Sequence, residues 1–117
     1  MRMWMTDPSW MCNQHLLGSH LELHMFIGAI DRGTKMDGYI DNNLLEPLSI
    51  ASYHKLISDE MVSRGMNHKS PLNNTTDVIG KLPFNQLLKK VNREKSVMEL
   101  LTRCPKCFMK FLEKENG

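Results

Sequence analysis

The sequence lacks any apolar run that could cross a bilayer. The longest, Leu23 to Ile30, is eight residues and contains His24, against the roughly 18–20 that a span needs. Its opening, Met1-Arg2-Met3-Trp4-Met5-Thr6-Asp7, has no apolar h-region, so a secretory signal is not expected. Three cysteines, two of them close together as Cys104 and Cys107, do not make a disulfide framework. Alternating apolar and polar residues extend nowhere beyond four or five positions, and there is no internal repeat, so strands and repeat architectures have little support. Charge of one sign is also scarce, the formal net charge being +2. These absences leave a small, soluble, intracellular single domain spanning 1–117. A chain of 117 residues buries roughly two-thirds of its surface on folding, enough for a core without staples.

Charge is distributed unevenly. Residues 81–117 carry nine Lys/Arg against four Glu, whereas residues 1–80 carry six against nine Asp/Glu. A basic C-terminal third suits a polyanion partner, and equally a solvated helix face.

Apolar spacing is helical almost throughout. Leu16, His20, Leu23, Ile27 and Ile30 fall on one stripe, which predicts a helix over about 12–30 that ends at Asp31-Arg32-Gly33. Pro47 and the stripe Ile50, Tyr53, Ile57, Met61 predict a second, closed by Arg64-Gly65. The segments 31–46 and 66–83, rich in Gly, Asn and Pro, read as loops. A third helical region covers about 84–103, with Leu87, Leu88, Val91, Met98 and Leu101 inward. Ser96 and Glu99 are spaced as a capping box that would break it near 95, and Pro105 stops it. The expected fold is a compact all-α domain of three main helices.

Several side chains can carry chemistry. On the first helix His15, Gly18, Ser19, Glu22 and Phe26 lie opposite the apolar stripe, a groove with a titratable floor or simply a solvated face. His20 and His24 are spaced to share a helix face, where packing or hydrogen bonding is the expected role. Cys104-Pro105-Lys106-Cys107 is half a zinc site. Cys12 and a histidine can complete it in space, and a redox role lacks its βαβ setting. The expectation carried forward is reduced thiols, no metal and no cofactor.

The segment Gln14-His15-Leu16-Leu17-Gly18-Ser19-His20-Leu21-Glu22-Leu23-His24 resembles the pyrimidine-dimer DNA glycosylases with abasic-site lyase activity, the phage endonuclease V type. The start Met1-Arg2-Met3-Trp4 looks like the short branch of that family. His54-x-x-Leu-Ile-x-x-Glu-Met61 leading to Arg64-Gly65, then Asn67-His68-Lys69-Ser70-Pro71-Leu72, and Arg103-Cys-Pro-Lys-Cys107 with Phe108-Met109-Lys110-Phe111 follow in order. The resemblance implies three helices with the N-terminal segment threaded between them. It also implies a DNA repair enzyme that needs no metal, in which the α-amine of Met1 attacks a deoxyribose C1′ and Glu22 assists. An α-amine ordinarily titrates near 7.7–8.0 against about 10.4 for lysine, so roughly a tenth is free base at pH 7, the form that Schiff-base chemistry requires.

The implied partner is damaged double-stranded DNA. Arg2, Gln14, His15, His68, Lys69, Lys89, Lys90, Arg93 and Lys110 are the candidates for phosphate contacts, and Phe108, Phe111 or Trp4 for base stacking. The enzyme is expected to act as a monomer, away from membranes, in the host cytoplasm or nucleus for a viral member. Two positions depart from the family pattern: Leu21 and Met25 stand where arginines flank the catalytic glutamate. A chain that keeps the fold but only binds DNA or a protein through its basic third is the alternative.

Overall fold

The computed structural model describes residues 1–68 and 70–117. Among these residues there are seven α-helices and no strand: α1 (Asn13–Asp31), α2 (Asp37–Asp41), α3 (Ile50–Ser63), α4 (Thr75–Ile79), α5 (Phe84–Leu87), α6 (Arg93–Arg103) and α7 (Pro105–Asn116). Short 3-10 turns at Pro8–Trp10 and Pro47–Ser49 lead into α1 and α3. None of the helices is long and apolar enough to cross a membrane.

The two stripes read from the sequence are the core. Leu16, Leu23, Ile27 and Ile30 of α1 are buried against Ile50, Tyr53, Ile57 and Met61 of α3. Each such side chain contributes roughly 1.5–3 kcal/mol by leaving water. The predicted loops hold the short helices α2 and α4, and Val78 of α4 completes the core beside α1.

The third helical region differs most from expectation. It divides into α5, an irregular link and α6; α6 ends at Arg103, before Pro105 as expected, and Pro105 then opens a further helix, α7. At a helix's first position a missing N–H is no loss and the fixed φ is already helical. Asn92, not Ser96, caps α6, its side chain accepting from Lys95 N–H at 3.0 Å. Val91 and Leu100 are buried, whereas Leu88 and Met98 are exposed. Hydrophobic residues spaced for one long helix could not all face inward once that helix was broken.

The N-terminal segment is threaded between helices. Met3, Trp4 and Thr6 are buried. Met3 N–H donates to Leu44 O at 2.7 Å. Ser96 Oγ of α6 donates to Trp4 O at 2.5 Å, and Tyr53 Oη of α3 to Thr6 O at 2.9 Å. Between them Met5 takes a φ of 55°, a left-handed conformation costing about 1 kcal/mol for a side chain with a Cβ. The buried neighbours on both sides fix the bend.

Glu46 joins the halves of the chain at 3% exposure. Its carboxylate accepts from Val91 N–H at 3.0 Å, Arg93 Nη2 at 2.9 Å and Ser49 Oγ. Burial works to raise its pKa, but these donors outweigh it and hold the carboxyl below the usual range.

Candidate active site

Glu22 lies two turns into α1, half-buried, on the side covered by the N-terminal segment. Its Oε2 accepts the backbone N–H of Arg2 at 2.5 Å. Three covalent bonds separate the Arg2 nitrogen from the Met1 amine, a span of at most about 3.7 Å, so the amine lies within roughly 6 Å of the carboxylate. Met1 itself is exposed at 38%. Beside the pair, a side chain at Gly18 would meet nothing within 4 Å, and Leu17, Leu21 and Met25 form an exposed apolar rim. The groove expected on this face is narrower than the spacing suggested. Ser19 and Phe26 are buried: Ser19 Oγ donates to Met11 Sδ, and Phe26 packs edge-on against Tyr39 with centroids 5.1 Å apart.

Arg2 serves the interior in this arrangement. Its Nη1 donates to Glu99 Oε2 of α6 at 2.6 Å and its Nη2 to Ser96 Oγ at 3.3 Å. Its Cζ stands 3.9 Å from the centroid of the Trp4 ring, a cation–π contact. The side chain is 14% exposed. The bond from Arg2 holds the Glu99 carboxyl below its usual range. Trp4 is occupied by this contact and 6% exposed, so it offers no face for base stacking. Ser96 and Glu99, paired in the sequence as a helix cap, are in fact the two side chains of α6 that grip the N-terminal segment.

The remaining candidates are scattered. Gln14 of α1 and Lys110 of α7 share a surface hollow of about 470 Å³ with Asn13, Lys106 and Met109. Phe108 is exposed, while Phe111 packs edge-on against Trp10 with centroids 5.1 Å apart. Lys89 and Lys90 are exposed between α5 and α6, outside that hollow. Arg93 is paired with Glu46 while half its side chain faces solvent. Lys69 lies outside the described residues.

Two candidates sit in clusters instead of on an open cationic face. His68 Nε2 is 2.9 Å from His20 Nε2 and 3.0 Å from Ser58 Oγ, and His54 Nε2 is 3.1 Å from His20 Nε2. Burial, then the neighbouring histidines His20, His24 and His68, pushes His54 down to about 4; His20 is lowered for the same reasons. His15 turns its Nδ1 to Cys12 Sγ at 3.3 Å and Cys107 Sγ at 3.5 Å. Around it Cys12, Cys104 and Cys107 gather so that all four ligand atoms lie within 4.8 Å of one another. Burial pushes the Cys107 thiol up to about 12. At Cys104 the N–H groups of Cys107 and Lys106 and the adjacent thiols outweigh burial and lower it. The sequence carried a signal for this grouping: a Cys-x-x-His near one end mirrors the Cys-x-x-Cys near the other.

No curated protein and no solved structure gives a significant match to the chain. The family model for pyrimidine dimer DNA glycosylase matches residues 1–74, more than half the length, and the matched stretch contains Met1, Arg2 and Glu22 as well as α1 and α3. A helical fold with its first residues drawn in to a carboxylate of α1, together with that match, makes this chain a member of the pyrimidine dimer DNA glycosylase family, DNA-repair proteins that act on damaged DNA.

Proposed function

We propose that the chain is a DNA glycosylase with abasic-site lyase activity, acting on pyrimidine dimers through the α-amine of Met1. The observation that carries this reading is the Glu22–Arg2 backbone bond at 2.5 Å, which keeps the first residue beside a half-buried carboxylate. The neutral amine attacks C1′ of the damaged nucleotide, and the glycosidic bond breaks as the base leaves with a proton. The sugar ring opens to an imine. Loss of a C2′ proton then expels the 3′ phosphate by β-elimination, and water releases the enzyme. Glu22 stabilises the positive charge that develops at C1′ and afterwards moves the protons that imine formation and elimination require.

The target base is inaccessible in a stacked duplex, so the DNA is kinked and a nucleotide extruded. The exposed apolar rim of Leu17, Leu21 and Met25 suits contact with unstacked bases more than with phosphates. The open Gly18 position leaves room for a sugar to approach Glu22. The protein works in this reading as a monomer inside the cell, with Gln14 and Lys110 among its phosphate contacts.

Borohydride trapping of the untagged protein tests the reading, using undamaged, abasic and cyclobutane-dimer duplexes. Covalent adducts are expected on the abasic and dimer duplexes. Acetylation of the amine abolishes them, and Glu22→Gln slows them by about 10²–10⁴-fold, the usual worth of a positioned acid/base. A folded protein with a free amine that traps none of the three duplexes overturns the proposal.

A further inference from the structure

The grouping of Cys12, His15, Cys104 and Cys107 plays no part in the chemistry above. The residues come from two helix starts far apart in sequence. Cys12 is the N-cap of α1, with His15 three residues on, and Cys104 is the N-cap of α7, with Cys107 three residues on. The packing of α7 against the turn at Pro8–Trp10 brings the two starts together. Cys12 and Cys107 are buried, and Cys104 and His15 are half-buried.

All four ligand atoms lie within 4.8 Å of one another, and three of the separations are close to those of ligands around one ion. Zinc about 2.3 Å from sulfur and about 2.0–2.1 Å from nitrogen, in a tetrahedron, sets neighbouring sulfurs near 3.8 Å apart and sulfur and nitrogen near 3.6 Å. Cys12 Sγ and Cys104 Sγ are 3.9 Å apart. His15 Nδ1 is 3.3 Å from Cys12 Sγ and 3.5 Å from Cys107 Sγ. No pair approaches the roughly 2.05 Å of a disulfide, and all three cysteines are free.

The surroundings are those of thiolates. Each sulfur receives at least one backbone N–H: Cys107 Sγ from Cys12 at 3.2 Å, Cys12 Sγ from His15 at 3.4 Å, and Cys104 Sγ from Cys107 at 3.4 Å. Such outer donors orient metal ligands and spread their charge, and the positive ends of α1 and α7 point at the same place.

We propose that Cys12, His15, Cys104 and Cys107 bind one Zn²⁺ in a closed tetrahedral Cys₃His site. Three soft thiolates and one imidazole select zinc over harder ions. With all four positions filled by protein the ion has no place for substrate, so its role is structural. On binding, the three thiols release their protons to solvent and no electron is transferred. The ion fastens α7, and through it α6, to the start of α1. Cys104 and Cys107 lie beyond the 1–74 stretch that matches the family, so the site ties the rest of the chain to that stretch.

The test is metal analysis of the untagged full-length protein, followed by cobalt exchange. One zinc per chain is expected, and Co²⁺ in its place gives the tetrahedral d–d bands and the thiolate-to-metal charge-transfer band of sulfur ligation. Cys104→Ser with Cys107→Ser removes the metal, whereas His54→Gln, in the separate histidine cluster, keeps it. Chelation of the wild type lowers the melting temperature, and zinc restores it. Protein that holds no zinc as purified and gives no thiolate band with added cobalt overturns the proposal. So does metal that survives the double cysteine variant but is lost with His54→Gln. The cobalt spectrum of the wild type decides the matter even if the cysteine variants fail to fold.

Discussion

Ser96→Ala is the perturbation that most directly separates the tether of the N-terminal segment from the chemistry proposed for it. Ser96 is 1% exposed; its Oγ donates to Trp4 O at 2.5 Å and accepts from Arg2 Nη2 at 3.3 Å. Alanine removes one oxygen and leaves a buried carbonyl without its donor, which costs about 1–3 kcal/mol. For a chain of 117 residues, an unfolding entropy of about 2.1 cal/mol/K per residue makes each kcal/mol worth roughly 4 °C. The expected fall in melting temperature is therefore about 4–12 °C, read by circular dichroism on heating. Ser52→Ala is the control. That hydroxyl is exposed and, among the described residues, reaches only Ser49 O at 3.2 Å, so its removal changes stability by about 0.5 kcal/mol or less. The Ser96 variant is also expected to trap an abasic duplex more slowly at temperatures where it remains folded, because Trp4 and Arg2 then hold the amine less firmly. A Ser96→Ala protein that melts with the wild type would show that the N-terminal segment is held by other contacts.

Acid should weaken the fold through the histidine cluster. His54 is held down to about 4 by burial and by His20, His24 and His68, so below about pH 6.5 the unfolded chain takes up a proton that the folded chain refuses. Stability contributed by the neutral ring is intact above pH 6.5 and is lost as pH falls toward 4. Denaturant titrations across that range should show His54→Gln flattening the decline; an unchanged slope would place the acid sensitivity elsewhere. For DNA binding, replacing the exposed Lys89 and Lys90 with Glu should weaken binding to damaged and undamaged duplexes alike. It should also reduce the slope of log affinity against log salt by about 2, one unit per lost phosphate contact. Salt titration with an unchanged slope would show that the duplex lies on another face.

Local patterns in the sequence carried the fold further than they carried the site. The α1 and α3 stripes are visible because each helix buries one continuous face, and spacing alone reports that. The break after Leu87 and the start of α7 at Pro105 are less visible, since proline permits a helix to begin as readily as it forces one to stop. Ser96 and Glu99 have the spacing of a cap, yet their partners are Trp4 and Arg2, more than ninety residues away. Nothing local distinguishes the two roles. Spacing placed Glu22 on the face opposite the apolar stripe, while its role and that of the first residues came from a family likeness. The meeting of Cys12 and His15 with Cys104 and Cys107 depends on how α7 docks, which neither pair encodes by itself.

The grip of α6 on Arg2 has a consequence for what counts as the smallest working unit. The matched stretch 1–74 contains the amine and the carboxylate, and taken alone it would pass for an autonomous catalytic module. Yet the groups that seat Arg2 and Trp4 belong to residues 96 and 99. A chain truncated after residue 74 would keep the proposed amine and carboxylate and the partners of the Glu22–Arg2 backbone bond, and lose the α6 side chains that hold Arg2 and Trp4 from the other side. Protein engineers who trim or transplant this scaffold would have to carry both ends of the chain together.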